Sequence, residues 1–316
     1  MMTPRAPEPA LSGLRRTAKR VFFASGHYHR RLAQFGFPGV AVLCYHSVRG
    51  DHDTVPFQQL HVTREMFERH CRFLAEACSP ISLADLRAAR AGVRALPPRP
   101  VIVTFDDGYL GVLEHALPAL ERHRVPATVF VTAGSIVDRE HFWFDVLSRR
   151  EGEDAVVRAK QAAFAEWRQL FESLRTRAPV GERHRPMTPE ELTRLAASPM
   201  IEIGGHSMIH PTLARAPLAE QRREIAGCRT VLHELLQQPI ASFAYPYGSR
   251  MQDFAPETVI AVGEAGYDLA FTTGSSFAAV RGDPLQIPRF VMLDSIGESE
   301  LAHRLLYSWH ANGVVI

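Results

Sequence analysis

No run of 18 consecutive apolar residues occurs in the sequence, so no membrane-spanning helix is expected. The opening stretch, MMTPRAPEPALSGLRRTAKRVFFASGHYHRRLAQF, also lacks the unbroken apolar core of a secretory signal. Cysteine is scarce: Cys44, Cys71, Cys78 and Cys228 show neither CxxC spacing nor the density of a disulfide scaffold. Cys71 and Cys78 sit among Met66, Phe67 and Leu74 at helical spacing and read as core thiols, a usage that fits a reducing compartment. Net charge is only +2 at pH 7, and there is no basic stripe interleaved with aromatics, RRM signature or zinc-finger spacing. Nucleic-acid binding is set aside on that ground. Internal repeats and low-complexity tracts are absent as well.

What is present is ordinary for a soluble globular protein. Hydrophobic residues make up 46% and charged residues 22% of a 316-residue chain, enough for a sizeable core in one large domain or two small ones. Residues 1–38 stand apart as a basic segment, with Arg5, Arg15, Arg16, Lys19, Arg20, Arg30 and Arg31 against the single acid Glu8. One reading is a short amphipathic helix resting peripherally on an anionic membrane surface. The other is a solvated helix packed on the side of the domain.

From residue 39 to 316 the pattern alternates. Short apolar runs at 40–46, 101–105, 127–132, 200–205, 241–246, 268–273 and 287–292 read as buried strands, with helical periodicity between them. Thr63 is placed to cap a helix over 64–77, and others are expected over 112–122, 218–236 and 257–265. Apolar strands alternating with helices imply a parallel α/β sheet covered on both faces or closed into a barrel, and about seven strands favour an incomplete barrel. Residues 138–185 break the rhythm. They hold HFWFD and a charged helical stretch with Trp167 and Phe171 four apart, and read as a helical insertion too short for a core of its own.

In parallel α/β folds, sites form where loops converge at the carboxyl ends of strands. The polar groups at those ends are His46, the pair Asp106-Asp107, the stretch GGHSMIH and the stretch YPYG. Two histidines four apart, His206 and His210, are weak evidence alone among fifteen histidines. They follow Gly204-Gly205, where backbone can approach closely, and precede Pro211. Two imidazoles and one carboxylate are a zinc-type ligand set that leaves positions open for water. Such a cation also explains adjacent aspartates at a strand end. It binds one and removes the repulsion, while the other stays ionised and accepts a proton from water.

TFDDGY, HSMIH and FAYPYG, in this order and spacing, resemble the polysaccharide deacetylases of the NodB-homology type, carbohydrate esterase family 4. The resemblance runs over about 39–292. It implies a single-domain distorted (β/α)7 barrel, a divalent metal (zinc, with cobalt, nickel or manganese as alternatives) and removal of N-acetyl groups from amino sugars. Position by position it implies Asp106 as general base, Asp107, His206 and His210 as metal ligands, and the Tyr247 backbone N–H as an oxyanion donor. Tyr245 and Tyr247 side chains then either line the site or contact sugar.

The sequence departs from the family twice. The usual FRPPYG carries an arginine where this chain has Ala244, and Arg289 in IPRFVM is the candidate replacement, against a structural salt bridge. The usual late motif ending in histidine is missing too. His46 is then the candidate general acid, ahead of His303 and His310, as in the branch similar to the deacetylases of biofilm poly-N-acetylglucosamine. HFWFD fits that branch, with Trp143 offering a face to a pyranose ring and Asp145 a partner for hydroxyls or a free amine. The implied partner is an N-acetylated glycan in exopolysaccharide or cell-envelope glycan biosynthesis, and the expected location is cytoplasmic, peripheral at the inner membrane face. The competing readings are the same chemistry on a non-sugar C–N bond, and a non-catalytic carbohydrate-binding protein.

Overall fold

The computed structural model describes residues 9–178 and 182–311. Ten strands follow one another along these residues: β1 (Ala41–Tyr45), β2 (Ser47–Arg49), β3 (His61–Thr63), β4 (Ser79–Pro80), β5 (Pro100–Phe105), β6 (Ala127–Val131), β7 (Ile201–Gly205), β8 (Ser242–Ala244), β9 (Leu269–Phe271) and β10 (Phe290–Val291). Seven form one curled sheet in the order β10-β1-β5-β6-β7-β8-β9, joined by parallel pairings, with β4 alongside β5. A single bridge between Phe271 and Ile287 draws the two ends of the sheet toward each other. Each expected strand overlaps one of the seven, and the result is the distorted, incomplete barrel expected from their number. β2 and β3 make a separate parallel pair.

Strand alternation divides the core in two. Val42 pairs with Ile102, Cys44 with Thr104, and Phe130 with Gly204, so even-numbered residues fall on the same face of neighbouring strands. Val42, Ile102, Phe130, Ala244 and Phe271 fill the concave side as one apolar cluster. Leu43, Val103, Val129 and Phe243 point the other way, into the larger cluster beneath the helices.

The helix Arg64–Ala77 begins where Thr63 Oγ1 accepts the Met66 N–H, and the helix Leu218–Leu236 spans its expected range. Over 112–122 the chain differs from a plain helix. It opens with a wide turn at Val112–Ala116 before the helix Leu117–His123. Pro118 has no N–H to return to the Glu114 carbonyl, and the wider turn accommodates that loss.

The insertion also corrects an expectation. Its helices Trp143–Glu151, Glu153–Gln161 and Phe164–Leu174 enclose an apolar cluster of their own, built on Phe142, Trp143, Trp167 and Phe171, with Tyr109 joining from the barrel. Trp167 and Phe171 stack at 5.6 Å, as residues one turn apart on a helix face can. Aromatic side chains each bury so much area that three short helices suffice for a core.

In the basic segment, the helices Pro9–Ala24 and His27–Phe35 turn at Gly26, whose φ of 70° suits glycine. They lie against the helix Glu298–Ala311 through Lys19–Glu300 (2.5 Å) and Tyr28 Oη–His303 Nδ1 (3.2 Å). Leu14, Val21 and Phe22 stay exposed beside Arg15, Arg16 and Arg20. No helix among the described residues is long and apolar enough to cross a membrane.

Candidate active site

The concave face of β5 continues past its last apolar residue. Ile102 and Thr104 lead to Asp106, which therefore sits over the barrel mouth, buried on a strand end. Arg289, just before β10 and fully buried, meets it with both ends of its guanidinium: Nη1 donates to Oδ1 at 2.7 Å and Nη2 to Oδ2 at 2.8 Å. Thr104 Oγ1 and the Thr272 carbonyl accept further bonds from Arg289 and fix its plane. The missing motif arginine is thus supplied from the other end of the sheet. Burial alone would raise the Asp106 carboxyl, but Arg289, with His206 and His46, outweighs it and holds the group well below the ordinary carboxylate range. The pairing therefore favours the ionised form of Asp106.

Asp107 turns the opposite way. A left-handed backbone (φ 72°) takes it off the strand, and Gly108 (φ 97°) completes the turn. Asp107 Oδ1 then lies 3.6 Å from His206 Nε2 and 3.5 Å from His210 Nε2, buried and without a hydrogen-bond partner of its own. His206 follows β7, where a side chain on Gly204 would meet the Phe130 ring at 2.6 Å, so the glycine is required by close packing. His206 Nδ1 donates to the Ala244 carbonyl at 2.7 Å, which leaves the lone pair of Nε2 facing Asp107. Ser207 (φ 66°) and His210 (φ 58°) hold the loop that brings the second imidazole back.

This donor set fits a divalent cation. The three ligand atoms lie within 4.8 Å of one another. Burial lowers both imidazoles, so each presents a free lone pair. Burial, then Asp106 and Asp145, pushes Asp107 well above its ordinary value, a cost that a positive charge at this point would reverse.

The loop between the two histidines is braced from outside. Glu224, buried in the helix Leu218–Leu236, accepts the Met208 and Ile209 N–H groups at 2.9 and 3.0 Å. Ser207 Oγ accepts the His210 N–H at 3.0 Å. Burial pushes the Glu224 carboxyl from 4.5 up to about 7. A raised carboxyl favours the fold while protonated, so this stability is complete below pH 4.5 and is lost as pH rises through 7. Glu224→Gln keeps an oxygen for both N–H groups and removes the titration. Between pH 4.5 and 8 the unaltered protein is expected to lose roughly 2–3 kcal/mol relative to the variant, measured by urea unfolding with chelator present. Parallel stability curves would show that Glu224 does not titrate in this range.

A cavity of about 230 Å³ opens over these groups, lined by His46, Asp106, Asp107, His206, His210 and Tyr247 among others. His46, partly buried at the end of β1, leaves Nδ1 without a partner. Burial lowers its pKa to about 4 against the opposing pull of Asp106, so at rest it is neutral. Tyr247 (φ 60°) follows β8, and its ring packs on His210 at 4.6 Å with its hydroxyl unpartnered.

Three expected contacts are not made. Tyr245 is fully buried on the helix side of β8, stacked on Phe254 at 4.0 Å, with its hydroxyl donating to the Leu285 carbonyl. Its parity with Phe243 turns it away from the cavity. Trp143 is buried in the insertion core, and its Nε1–H donates to the His210 carbonyl at 3.2 Å, so it braces a ligand and offers no face to a sugar. Asp145 is fully buried, accepts the Tyr109 hydroxyl at 2.9 Å and lies 3.3 Å from His184 Nε2, closed off from any substrate amine. His303 is occupied with Tyr28, away from the cavity, and the side chain of His310 lies outside the described residues.

Other residues at the site went unnoticed in the sequence. Cys44 Sγ donates to Asp106 Oδ2 at 3.4 Å, and His61 and Lys160 line the cavity. Glu224 left a signal, standing on the buried helix stripe with Gln221, Ile225 and Cys228. Cys44 left one in its parity with Val42. Lys160 belongs to the insertion, whose placement nothing local in the sequence fixes.

Comparison with known proteins shows the same fold and a family. Poly-beta-1,6-N-acetyl-D-glucosamine N-deacetylase of Escherichia coli (strain K12) is 24% identical over 274 residues, which are 85% of this chain but only 38% of that protein. This chain therefore spans well under half the length of that relative. The structure of IcaB from Ammonifex degensii superposes with a TM-score of 0.59 at 23% identity, covering 85% of this chain and 97% of that one. The Streptococcus pyogenes deacetylase PplD, solved in complex with acetate, superposes with a TM-score of 0.61 at 17% identity, covering 85% and 99%. Both share the fold. The model of the polysaccharide deacetylase family matches residues 94–270, a span that contains Asp106, Asp107, His206, His210 and Tyr247 but neither His46 nor Arg289. Since that match takes in more than half of the chain, this protein belongs to the polysaccharide deacetylase family.

Proposed function

We propose that this protein removes the N-acetyl group from an N-acetylated amino sugar in a glycan of the poly-N-acetylglucosamine type. One observation carries the reading. A carboxylate locked in its ionised form by a buried arginine faces the same small cavity as two neutral imidazoles and an unpartnered second carboxylate. A base and a cation site side by side are the parts an amide hydrolysis needs.

Asp107, His206 and His210 would hold the cation, with zinc favoured by one carboxylate and two imidazoles. When bound there, it supplies a more acidic water and polarises the acetamide carbonyl. Asp106 accepts the proton as the water oxygen bonds to the carbonyl carbon, and Arg289 keeps its oxygens oriented for that transfer. The Tyr247 backbone N–H donates to the oxygen that gains negative charge. His46, neutral at rest and within 4.8 Å of an Asp106 oxygen, takes that proton over from Asp106 as the charge builds and delivers it to the nitrogen while the C–N bond breaks. Acetate and a free amine leave. Without a proton donor the amine would have to depart as an anion, so this last transfer decides whether the intermediate goes forward.

The test is acetate release from N-acetylglucosamine oligomers by the purified protein with Zn²⁺ or Co²⁺, beside a chelated sample. Release is expected with metal and is expected to vanish on chelation. Bound metal without release from any oligomer would sink this reading in favour of another C–N bond or a binding role.

A further inference from the structure

The parallel pair of β2 and β3 begins directly after His46. Ser47 lies opposite His61 in its register, so the pair sets His61 beside the first strand's histidine at the cavity. His61 is 1% exposed, yet neither ring nitrogen makes a hydrogen bond. The Pro56 carbonyl approaches the ring without closing a bond of normal geometry. The ring is fixed by edge contacts with Tyr109 at 5.1 Å and His184 at 4.8 Å, and Arg49 Nε donates to the His61 carbonyl at 3.1 Å. Its backbone and its ring faces are therefore occupied, and its nitrogens are not. An oriented, buried polar group with no protein partner is costly unless something else meets it.

Phe57 and Leu60, from the same segment, also line the cavity and give that region an apolar surface. A sugar entering there loses water from its hydroxyls, and His61 is the polar group this segment offers in return. We infer that His61 is a substrate-binding residue that forms a hydrogen bond with a hydroxyl of the amino-sugar ring whose acetamide is cleaved. The register beside His46 places it at the reacting ring, and a cavity of about 230 Å³ keeps the contact local. Burial above all keeps the imidazole neutral, which suits a hydroxyl and not an anion. A neutral imidazole can both donate and accept, as a hydroxyl can.

This inference rests on the deacetylase reading, and its test separates the two. Acetate release is measured with the zinc-loaded full chain on a β-glycoside of N-acetylglucosamine and on each of its monodeoxy analogues. The enzymes are the unaltered protein, His61→Phe, which keeps a ring against Tyr109 and His184, and His61→Gln, which restores a donor and an acceptor. His61→Phe is expected to lower kcat/KM on the complete sugar by about 10- to 100-fold. On one analogue the unaltered protein and His61→Phe are expected to be equally slow, and His61→Gln to recover part of the loss on the complete sugar. Zinc affinity and thermal midpoint are read alongside to follow the fold. Equal losses by His61→Phe on every substrate, or no loss at all, would overturn the role of His61 and leave the deacetylase reading standing. No acetate from the unaltered protein on any of these glycosides or on longer oligomers would overturn both.

Discussion

Acetate release by Asp106→Asn is expected to fall by about 10³-fold or more, with zinc affinity kept within a few-fold, because the amide cannot take the proton of the attacking water. The shape of the side chain is unchanged, and Asp107, His206 and His210 are untouched. One complication follows from Arg289, which is fully buried and has both ends of its guanidinium on Asp106. Neutralising one partner leaves a buried charge without its counter-ion, a loss of about 3–5 kcal/mol in comparable pairs. Lost activity could then reflect lost fold. The double variant Asp106→Asn/Arg289→Met resolves this, since it removes both charges and should recover much of the stability while remaining inactive. Recovery of turnover in the double variant would exclude Asp106 as the base.

Arg289→Met alone should also damage the fold. It strands Asp106 as a buried carboxylate, at a cost of about 3–5 kcal/mol near neutral pH, and lowers kcat by about 10²-fold because the base is no longer oriented. The sign of the pH dependence separates this from simple loss of packing. In the unaltered protein the Asp106 carboxyl is held below its unfolded value, so its contribution is present above that value and lost as pH falls. Without the guanidinium, burial has its way and the carboxyl rises above the unfolded value. Its protonated form then favours the fold, and stability is lost as pH climbs. The gap between the two proteins should therefore be widest at neutral pH and close in acid, as read by urea unfolding across that range. A gap independent of pH would mean that Arg289 serves packing alone. Arg289→Lys should rescue little, since an ammonium cannot meet both oxygens in one plane.

Much of this architecture was legible in the sequence because it follows from local rules. Seven apolar runs separated by helical periodicity gave the barrel, Thr63 gave a helix start, and the Leu218–Leu236 helix was visible from its apolar stripe. The adjacent aspartates and the two histidines were legible for a chemical reason, since like charges at a strand end need a cation. The misplaced residues were those whose direction depends on tertiary packing. Tyr245 follows Phe243 in strand parity, and the same alternation that sends Asp106 to the mouth sends Tyr245 to the helices. Trp143 and Asp145 sit in an insertion whose helices pack on one another and present Phe144, Val156, Val157 and Lys160 to the cavity. The pairing of Arg289 with Asp106 spans 183 positions of chain, beyond any local pattern.

Four residues that build the site, Asp107, Ser207, His210 and Tyr247, hold left-handed backbone conformations without being glycine. Each carries a conformational cost of roughly 1–2 kcal/mol that the surrounding barrel must overcome. Selection for thermal stability and selection for turnover therefore pull in opposite directions at these positions. Relaxing them would firm the scaffold while moving the groups it exists to hold, so the room for hardening this protein lies elsewhere in the chain, on surfaces away from the site.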